Sequence, residues 1–586
     1  MARTLLMPAL SALILLTLLG PGGCTGPLDR SEEEALRDSL LAAQRNHLQS
    51  LRQGQAVELQ RPPSEVEQAL PPRRIEQLDA VSGPEAYEDA PLPLTRGLLG
   101  GDEVEIVRIS LQEAIEQAVR HNLDYQFAQI SPAIAETRLL QAEAVFDATV
   151  FASVNWTNLD TPQPSGAIAG LAGDRQSQDL EVVTGIRKPL TTGGQASIET
   201  SVRRQEEEPT FFGVSSYYDA DVLASLRQPL LRNFGQGVNL ARVQLAASAR
   251  NQEVQRLRQT LLELAFQVEQ TYWRLLLAQQ RVLIRQRLLE RTLEDRNRLA
   301  RRAEFDVSPV RLTEAASFVE LRRADVVRAR QTLRDLSDRL KRLINAPGLP
   351  VGTEVLVLPV DRPVDASVEF SLLEAVRTAL RERPSLQAAM LEIKDASIRQ
   401  RVADNARLPV LDLIASVGVS GLDVDSAGGA YEELGEMNYV DYILGGEFEL
   451  PIGNRGPEAQ FRQRQLERRA AAVDYRREVQ NVILEIKQAL RELATSYELI
   501  GVTRAARLAN AENLRAIQEQ EEAGVALTPE FLLDLKLNAQ ARLADAEEQE
   551  IQALTNYMTA LAAFYQATGT LLEQDRIAFQ APEIED

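Results

Sequence analysis

Few side chains in this sequence are suited to covalent or metal chemistry. Among 586 residues there are two histidines, His47 and His121, and a single cysteine, Cys24. His/Cys metal centres and a Cys-His dyad need more than this set supplies, and a Ser-His-Asp arrangement would have to be built on His121. Carboxylates are plentiful, but a general acid-base pair needs a pocket, and no segment outside the predicted helices and strands supplies one. Gly235-Gln236-Gly237 lacks the third glycine and following acidic residue of a dinucleotide site, so it reads as a strand-to-helix joint. No enzymatic activity, cofactor or metal is therefore expected. The 85 acidic and 64 basic residues give a net charge of −21, which argues against nucleic acid as a partner, because phosphate contacts need clustered Lys and Arg.

What the sequence offers instead is architecture stated twice. Ser110-Leu111-Gln112-Glu113-Ala114 returns as Ser371-Leu372-Leu373-Glu374-Ala375, and each copy opens a helical run that leads into alternating β sequence. A strand then stops at proline, Leu226-Arg227-Gln228-Pro229-Leu230 in one half and Phe448-Glu449-Leu450-Pro451-Ile452 in the other. A Gly-containing turn, a long polar-faced helix, a tip and a second long helix follow. The tips are built as Val307-Ser308-Pro309 and Leu527-Thr528-Pro529. The long helices are expected over about 237–303 and 456–523, each on the order of 100 Å at 1.5 Å per residue. Leu261, Leu264, Ala265, Val268, Tyr272 and Leu275 recur at spacings of three and four, a stripe that buries one face against a neighbour. Asn345-Ala346-Pro347-Gly348-Leu349-Pro350 punctuates the boundary between the repeats.

The N-terminus carries Arg3, an apolar run from Leu5 to Leu19 and then small residues up to Cys24, the pattern of a secretory signal peptide. Cys24 resembles the acylated cysteine of a bacterial lipoprotein, although Pro21 stands where an aliphatic residue is usual; simple cleavage with an incidental thiol is the alternative. From there to about residue 101 the chain is acidic and proline-containing and is expected to be a flexible, lipid-anchored tether with one helix over Ser31–Leu51.

Beyond the N-terminal run no stretch approaches the roughly 18 consecutive apolar residues of a spanning helix, so any membrane crossing falls to strands. Leu411, Leu413, Ala415, Val417 and Val419 alternate with Asp412, Ser416 and Gly418; Tyr442, Leu444, Phe448 and Leu450 alternate with Asp441, Glu447 and Glu449. The first half repeats the pattern in Val150, Ala152, Val154 and Trp156, and in Tyr218, Ala220, Val222, Ala224 and Leu226. Period two with one apolar and one charged face suits a barrel with lipid outside and water inside. A soluble sheet packed on a core gives the same alternation, but nothing around these strands makes a separate core. A barrel wall would have to be completed by other copies of the chain, since lipid tolerates no open edge. Two further β segments, Leu180–Lys188 and Gln195–Arg203, have no counterpart in the second half; an extracellular hairpin and extra wall strands both fit them.

In combination and order, the duplicated Ser-Leu-x-Glu-Ala helix, the strand ending in Gln-Pro-Leu and the paired tips resemble the TolC family of outer-membrane efflux proteins over about residues 105–570. The resemblance implies an α+β membrane protein: an internally duplicated chain forming a long α-helical coiled-coil barrel plus a transmembrane β-barrel, each completed by trimerisation. It implies an exit duct of a tripartite efflux or type I secretion system, partnered by a periplasmic adaptor protein and an inner-membrane transporter, seated in outer-membrane lipid and gated at its periplasmic tip. It assigns adaptor docking to Val307, Ser308 and Pro309 and to Gly524, Thr528 and Pro529, with Glu304 standing where the first tip would carry glycine. It places the first residue of an acidic periplasmic aperture at Glu530; the second position, one helical turn on, holds Leu533, with Asp534 one residue later as the candidate, and solvated carboxylates near a helix N-terminus are the plainer reading. The expected division is a signal peptide (1–23), the leader (24–101), two helix-strand-helix repeats (102–350 and 351–572) and a tail (573–586). A periplasmic coiled-coil scaffold lipoprotein without channel activity is the competing reading.

Overall fold

The computed structural model describes residues 57–87, 90–93, 104–161, 175–208, 216–302, 309–523 and 529–579. Cys24 and the helix expected over Ser31–Leu51 lie outside them. In chain order the main elements are β1 (Val57–Glu58), α1 (Glu65–Ala69), α2 (Pro72–Ser82), β2 (Ile106–Ile109), α3 (Leu111–His121), α4 (Leu123–Glu143), β3 (Thr149–Thr161), β4 (Arg175–Pro189), β5 (Gln195–Glu208) and β6 (Ser216–Pro229). There follow α5 (Ala241–Arg302), α6 (Pro309–Ile344), β7 (Leu356–Pro359), β8 (Glu369–Phe370), α7 (Leu372–Glu382), α8 (Pro384–Asn405), β9 (Val410–Asp423), α9 (Ala427–Gly435), β10 (Tyr439–Glu449), α10 (Arg455–Glu522) and α11 (Pro529–Thr568). The duplication is visible in the caps: Ser110 accepts a hydrogen bond from the Glu113 N–H and Ser371 one from the Glu374 N–H, so both copies of Ser-x-x-Glu start a helix.

The chain divides into two compact units. The first takes in residues 134–251 and 390–474 and holds an antiparallel sheet of six strands in the order β10-β9-β6-β5-β4-β3. Both strand-to-helix joints use left-handed backbone: Asn233 and Gly235 at φ 65° and 94°, Asn454 and Gly453 at φ 37° and 94°. Asparagine and glycine tolerate that conformation because one has a short polar side chain and the other has none. The Asn233 N–H donates to Asn405 Oδ1 at 2.7 Å, and Asn454 Nδ2 donates to the Arg407 carbonyl at 2.8 Å, so each joint is tied to the end of the helix that feeds the second-half strands.

The second unit contains the described leader with residues 104–133, 252–389 and 475–579. Every member of the predicted Leu261-to-Leu275 stripe is buried there, alongside Trp273, Leu333, Ile344 and Val357. β2 pairs in parallel with β7, and β1 pairs antiparallel with β8, so the leader provides for the second repeat the short strand that β7 provides for the first. Tyr272 of α5 donates to Asp361 at 2.6 Å and Tyr557 of α11 to the Ala366 carbonyl at 2.7 Å, one pin for each copy.

Over residues 57–87 the leader departs from the expected tether. Ser64 and Glu67 form a reciprocal capping box at α1, Leu78 of α2 is buried against Leu508 and Leu543, and Tyr87 is buried against Ile284 and Ile551. Its composition suggested disorder, but its apolar residues are spaced to dock on other helices rather than to make a core of their own. The tail likewise begins folded, with Ile577 and Phe579 packed on the main cluster.

Candidate functional site

Two regions carry functional geometry, one in each unit. In the first, pairing registers align the alternation across all six strands. Val154, Val182, Val202, Ala220 and Gly421 share one row, and Val150, Ile186, Ile198, Ala224, Val417 and Tyr442 another, all on the same face. That face is largely bare: Leu444 is 80% exposed and Val150 is 73% exposed. An apolar surface of this extent marks contact with lipid or protein. α9 folds back over one end of it, with Ala430 buried above Gly421, where an added Cβ would stand 2.2 Å from the Ala430 carbonyl oxygen. The opposite face is charged and internally paired, Arg203 with Glu181 at 2.9 Å and Arg227 with both Asp412 and Glu447 at 2.8 Å. Among the described residues β3 and β10 have a strand neighbour on one side only.

The second region is where α5, α6, α10 and α11 approach the tips. Pro309 and Pro529 each open a helix, the position where the missing N–H costs nothing. Val307, Ser308, Gly524 and Thr528 lie outside the described residues, as does Glu304. Glu530 falls in the first turn of α11. Asp534 is half-exposed and accepts from Arg311 of α6 at 3.2 Å; Arg311 also pairs with Glu314 at 2.8 Å. Just beyond, the buried Lys536 ammonium lies 3.0 Å from Asp295 of α5 and 2.8 Å from Glu521 of α10, and Gln540 donates to Asp295 at 2.8 Å. This network joins three helices through one desolvated cation and is rigid only while all members are present.

Sequence reading singled out the acidic residues here and missed their cations. Arg311 was detectable: a positive charge in the first turn of a helix opposes the dipole and needs a carboxylate nearby. Lys536 was not, because nothing local separates it from the solvated lysines and arginines elsewhere on the long helices. Among the described residues no cluster of His, Cys, Asp and Glu has the makings of a metal site, and no helix is long and apolar enough to cross a membrane.

Residues 375–570 match the family model described as outer membrane efflux protein. The outer membrane protein TolC of Escherichia coli strain K12 is 27% identical over 207 residues, which is 35% of this chain and 41% of that relative's length. The aligned stretch thus spans less than half of the curated relative. Among solved structures, the Campylobacter jejuni CmeC outer membrane channel superposes with a TM-score of 0.56 at 16% identity, covering 79% of this chain and 86% of that one. The open state of the Neisseria gonorrhoeae MtrE outer membrane channel gives 0.53 at 18% identity, covering 82% and 96%. These likenesses establish a shared fold, helix-rich with a β-sheet. Together with the family model matched over residues 375–570 and the repeated helix-strand-helix order, they support a relationship to the TolC family of outer-membrane efflux proteins.

Proposed function

We propose that this protein is the outer-membrane subunit of an efflux or secretion exit duct. Three copies close their sheets into one transmembrane barrel, their helices form a periplasmic tube, and a periplasmic adaptor docks at the tips around Val307, Ser308, Pro309, Gly524, Thr528 and Pro529. An inner-membrane transporter supplies energy and chooses the cargo, and the duct itself is passive. Cys24 carries the acyl anchor in this reading. The observation that carries it is the six-stranded sheet, with one largely bare apolar face, one charged face and two unpaired edges, in a chain without an apolar spanning helix among its described residues. Backbone groups at those edges would stay unsatisfied in lipid unless other copies paired with them. A scaffold lipoprotein without a channel would leave the apolar face in water.

The tip contacts fit a closed gate. With Asp534 held by Arg311 and Lys536 held by Asp295 and Glu521, the helices are latched; opening by adaptor contact breaks the latch and frees the Asp534 carboxylates, with Glu530, to ring the mouth. The test is single-channel conductance of the purified protein in planar bilayers, with the assembly mass measured first. A trimer giving small, long-lived conductance that rises in Arg311→Ala supports the reading. A protein that never inserts overturns it.

A further inference from the structure

We infer that the β4–β5 hairpin is part of the membrane wall, so that the assembled barrel has 18 strands and an outer mouth of porin width. This rests on the trimeric channel reading above. The hairpin's tight turn lies at the helix end of the sheet: the Gly235 N–H donates to the Thr192 carbonyl at 2.9 Å, Thr192 Oγ1 donates to Gln228 Oε1 at 2.9 Å, and a Cβ on Gly193 would meet the Asn233 carbonyl oxygen at 2.1 Å. A hairpin projecting outward from the cell surface would have its turn at the other end. β4 and β5 instead run the full height of the sheet, 15 and 14 residues. At about 3.3 Å per residue and a tilt of about 40° they rise roughly 35 Å, more than the apolar band of about 25 Å that an outer-membrane barrel presents.

Leu180, Val182 and Ile186 of β4 and Ile198 and Val202 of β5 carry the apolar face from β3 to β6, interrupted by the Thr184–Thr200 pair and bounded at the end away from the turn by Arg204, which pairs with Leu180. The two hydroxyls on that face are satisfied: Thr184 donates to the Phe151 carbonyl at 3.2 Å, and Thr200 shares a hydrogen bond of 2.9 Å with Tyr431 of α9. The other face of the hairpin continues the charged lining through Glu181 and Arg203. Hydrocarbon requires this arrangement, whereas a loop in water does not.

Because the sheet has an even number of antiparallel strands, its edges β3 and β10 run in opposite directions, and β3 of one copy pairs antiparallel with β10 of the next. Six strands from each of three copies make 18. With strands about 4.8 Å apart and tilted about 40°, the backbone diameter is roughly 36 Å, leaving a wet bore of roughly 25 Å; without the hairpin the same geometry gives a backbone diameter of roughly 24 Å. An outlet of that width does not sieve bulky hydrophilic cargo, so selection falls to the tips.

The experiment uses the full-length protein. Native mass measurement establishes the trimer, and polyethylene glycols of graded size are then added to the barrel side of a bilayer to find which enter the mouth and lower conductance. Polymers up to roughly 25 Å in diameter entering from that side support the 18-stranded wall; a cut-off at or below about 15 Å from a conducting trimer overturns it and leaves the channel reading intact. A second measurement needs no redesign: Ile198→Cys and Glu199→Cys are labelled with a water-soluble maleimide in intact membranes. Labelling about tenfold slower at 198 than at 199 supports a wall strand with one face in lipid, and equal fast labelling overturns it. Absence of a trimer or of insertion instead defeats the channel reading, and this inference with it.

Discussion

Arg507 offers the sharpest test of how the leader is held. Its guanidinium is 1% exposed and bonds Asp79 and Glu550, with Ser82 Oγ at 3.1 Å, so a residue of α10 joins the leader helix α2 to α11. Glu550 is buried as well, and that burial raises its pKa even with the arginine beside it. Arg507→Ala strands this carboxylate without a counter-ion, a change that costs about 3–5 kcal/mol in a buried pair. At about 1.4 kcal/mol per decade, local opening of residues 65–82 becomes roughly two to three and a half decades more frequent. Hydrogen-deuterium exchange of those amides, on protein in nanodiscs, reads the change directly. Because Glu550 escapes the penalty by taking up a proton, the deficit shrinks toward acidic pH and grows as pH rises through its elevated pKa. Replacing both partners, Arg507→Met with Glu550→Leu, removes the stranded charge and restores most of the protection. Exchange in Arg507→Ala within about threefold of wild type, or a double variant as labile as the single, would refute the reasoning.

Glu269 and Asp575 are buried together and share a hydrogen bond, so burial and mutual repulsion hold a proton on the pair above the usual carboxylate range. Stability from this pair is full below the unfolded carboxylate pKa and is lost as pH rises through the raised folded one, so the unfolding midpoint falls on the alkaline side and flattens in Glu269→Gln. Gly193→Ala puts a methyl group into the Asn233 carbonyl at a backbone φ of +94°; heat-resistant assembly drops severalfold on gels, while Gly348→Ala, in open space, leaves it unchanged. Glu530→Gln combined with Asp534→Asn lowers the cation selectivity of the single channel without changing assembly mass, and unchanged reversal potentials would remove the acidic aperture. On the proposed reading, Cys24→Ala abolishes incorporation of labelled fatty acid and leaves the trimer intact, because a barrel would hold the membrane without the anchor.

Features encoded by local period were legible in the sequence. The repeated Ser-x-x-Glu caps, the Leu261-to-Leu275 stripe and the alternation in β3, β6, β9 and β10 all follow from side chains spaced by helix or strand geometry. Membership of β4 and β5 in the sheet was not, because period two is the same in a wall strand and a surface hairpin, and it takes contacts such as Thr192–Gly235 and Thr192–Gln228 to fix which end the turn occupies. The acidic half of the tip network was visible and its basic half was not. A lysine on a long polar helix stands apart only once Asp295 and Glu521 arrive from other helices. The leader misled for the same reason: what orders Asp79 and Tyr87 is Arg507 and Glu547, more than four hundred residues away.

Those separations bear on the order in which the protein can be made. Strand β1 finds its partner at Glu369–Phe370, Asp79 at Arg507 and Tyr87 at Glu547, so the first described segment of the chain has nothing to lock onto until most of the sequence has been synthesised. Contacts so distant in sequence carry a high loop-closure cost and form late. Docking of the leader is therefore a closing step of folding, and a leader still open to protease marks a subunit whose second repeat is not yet in place.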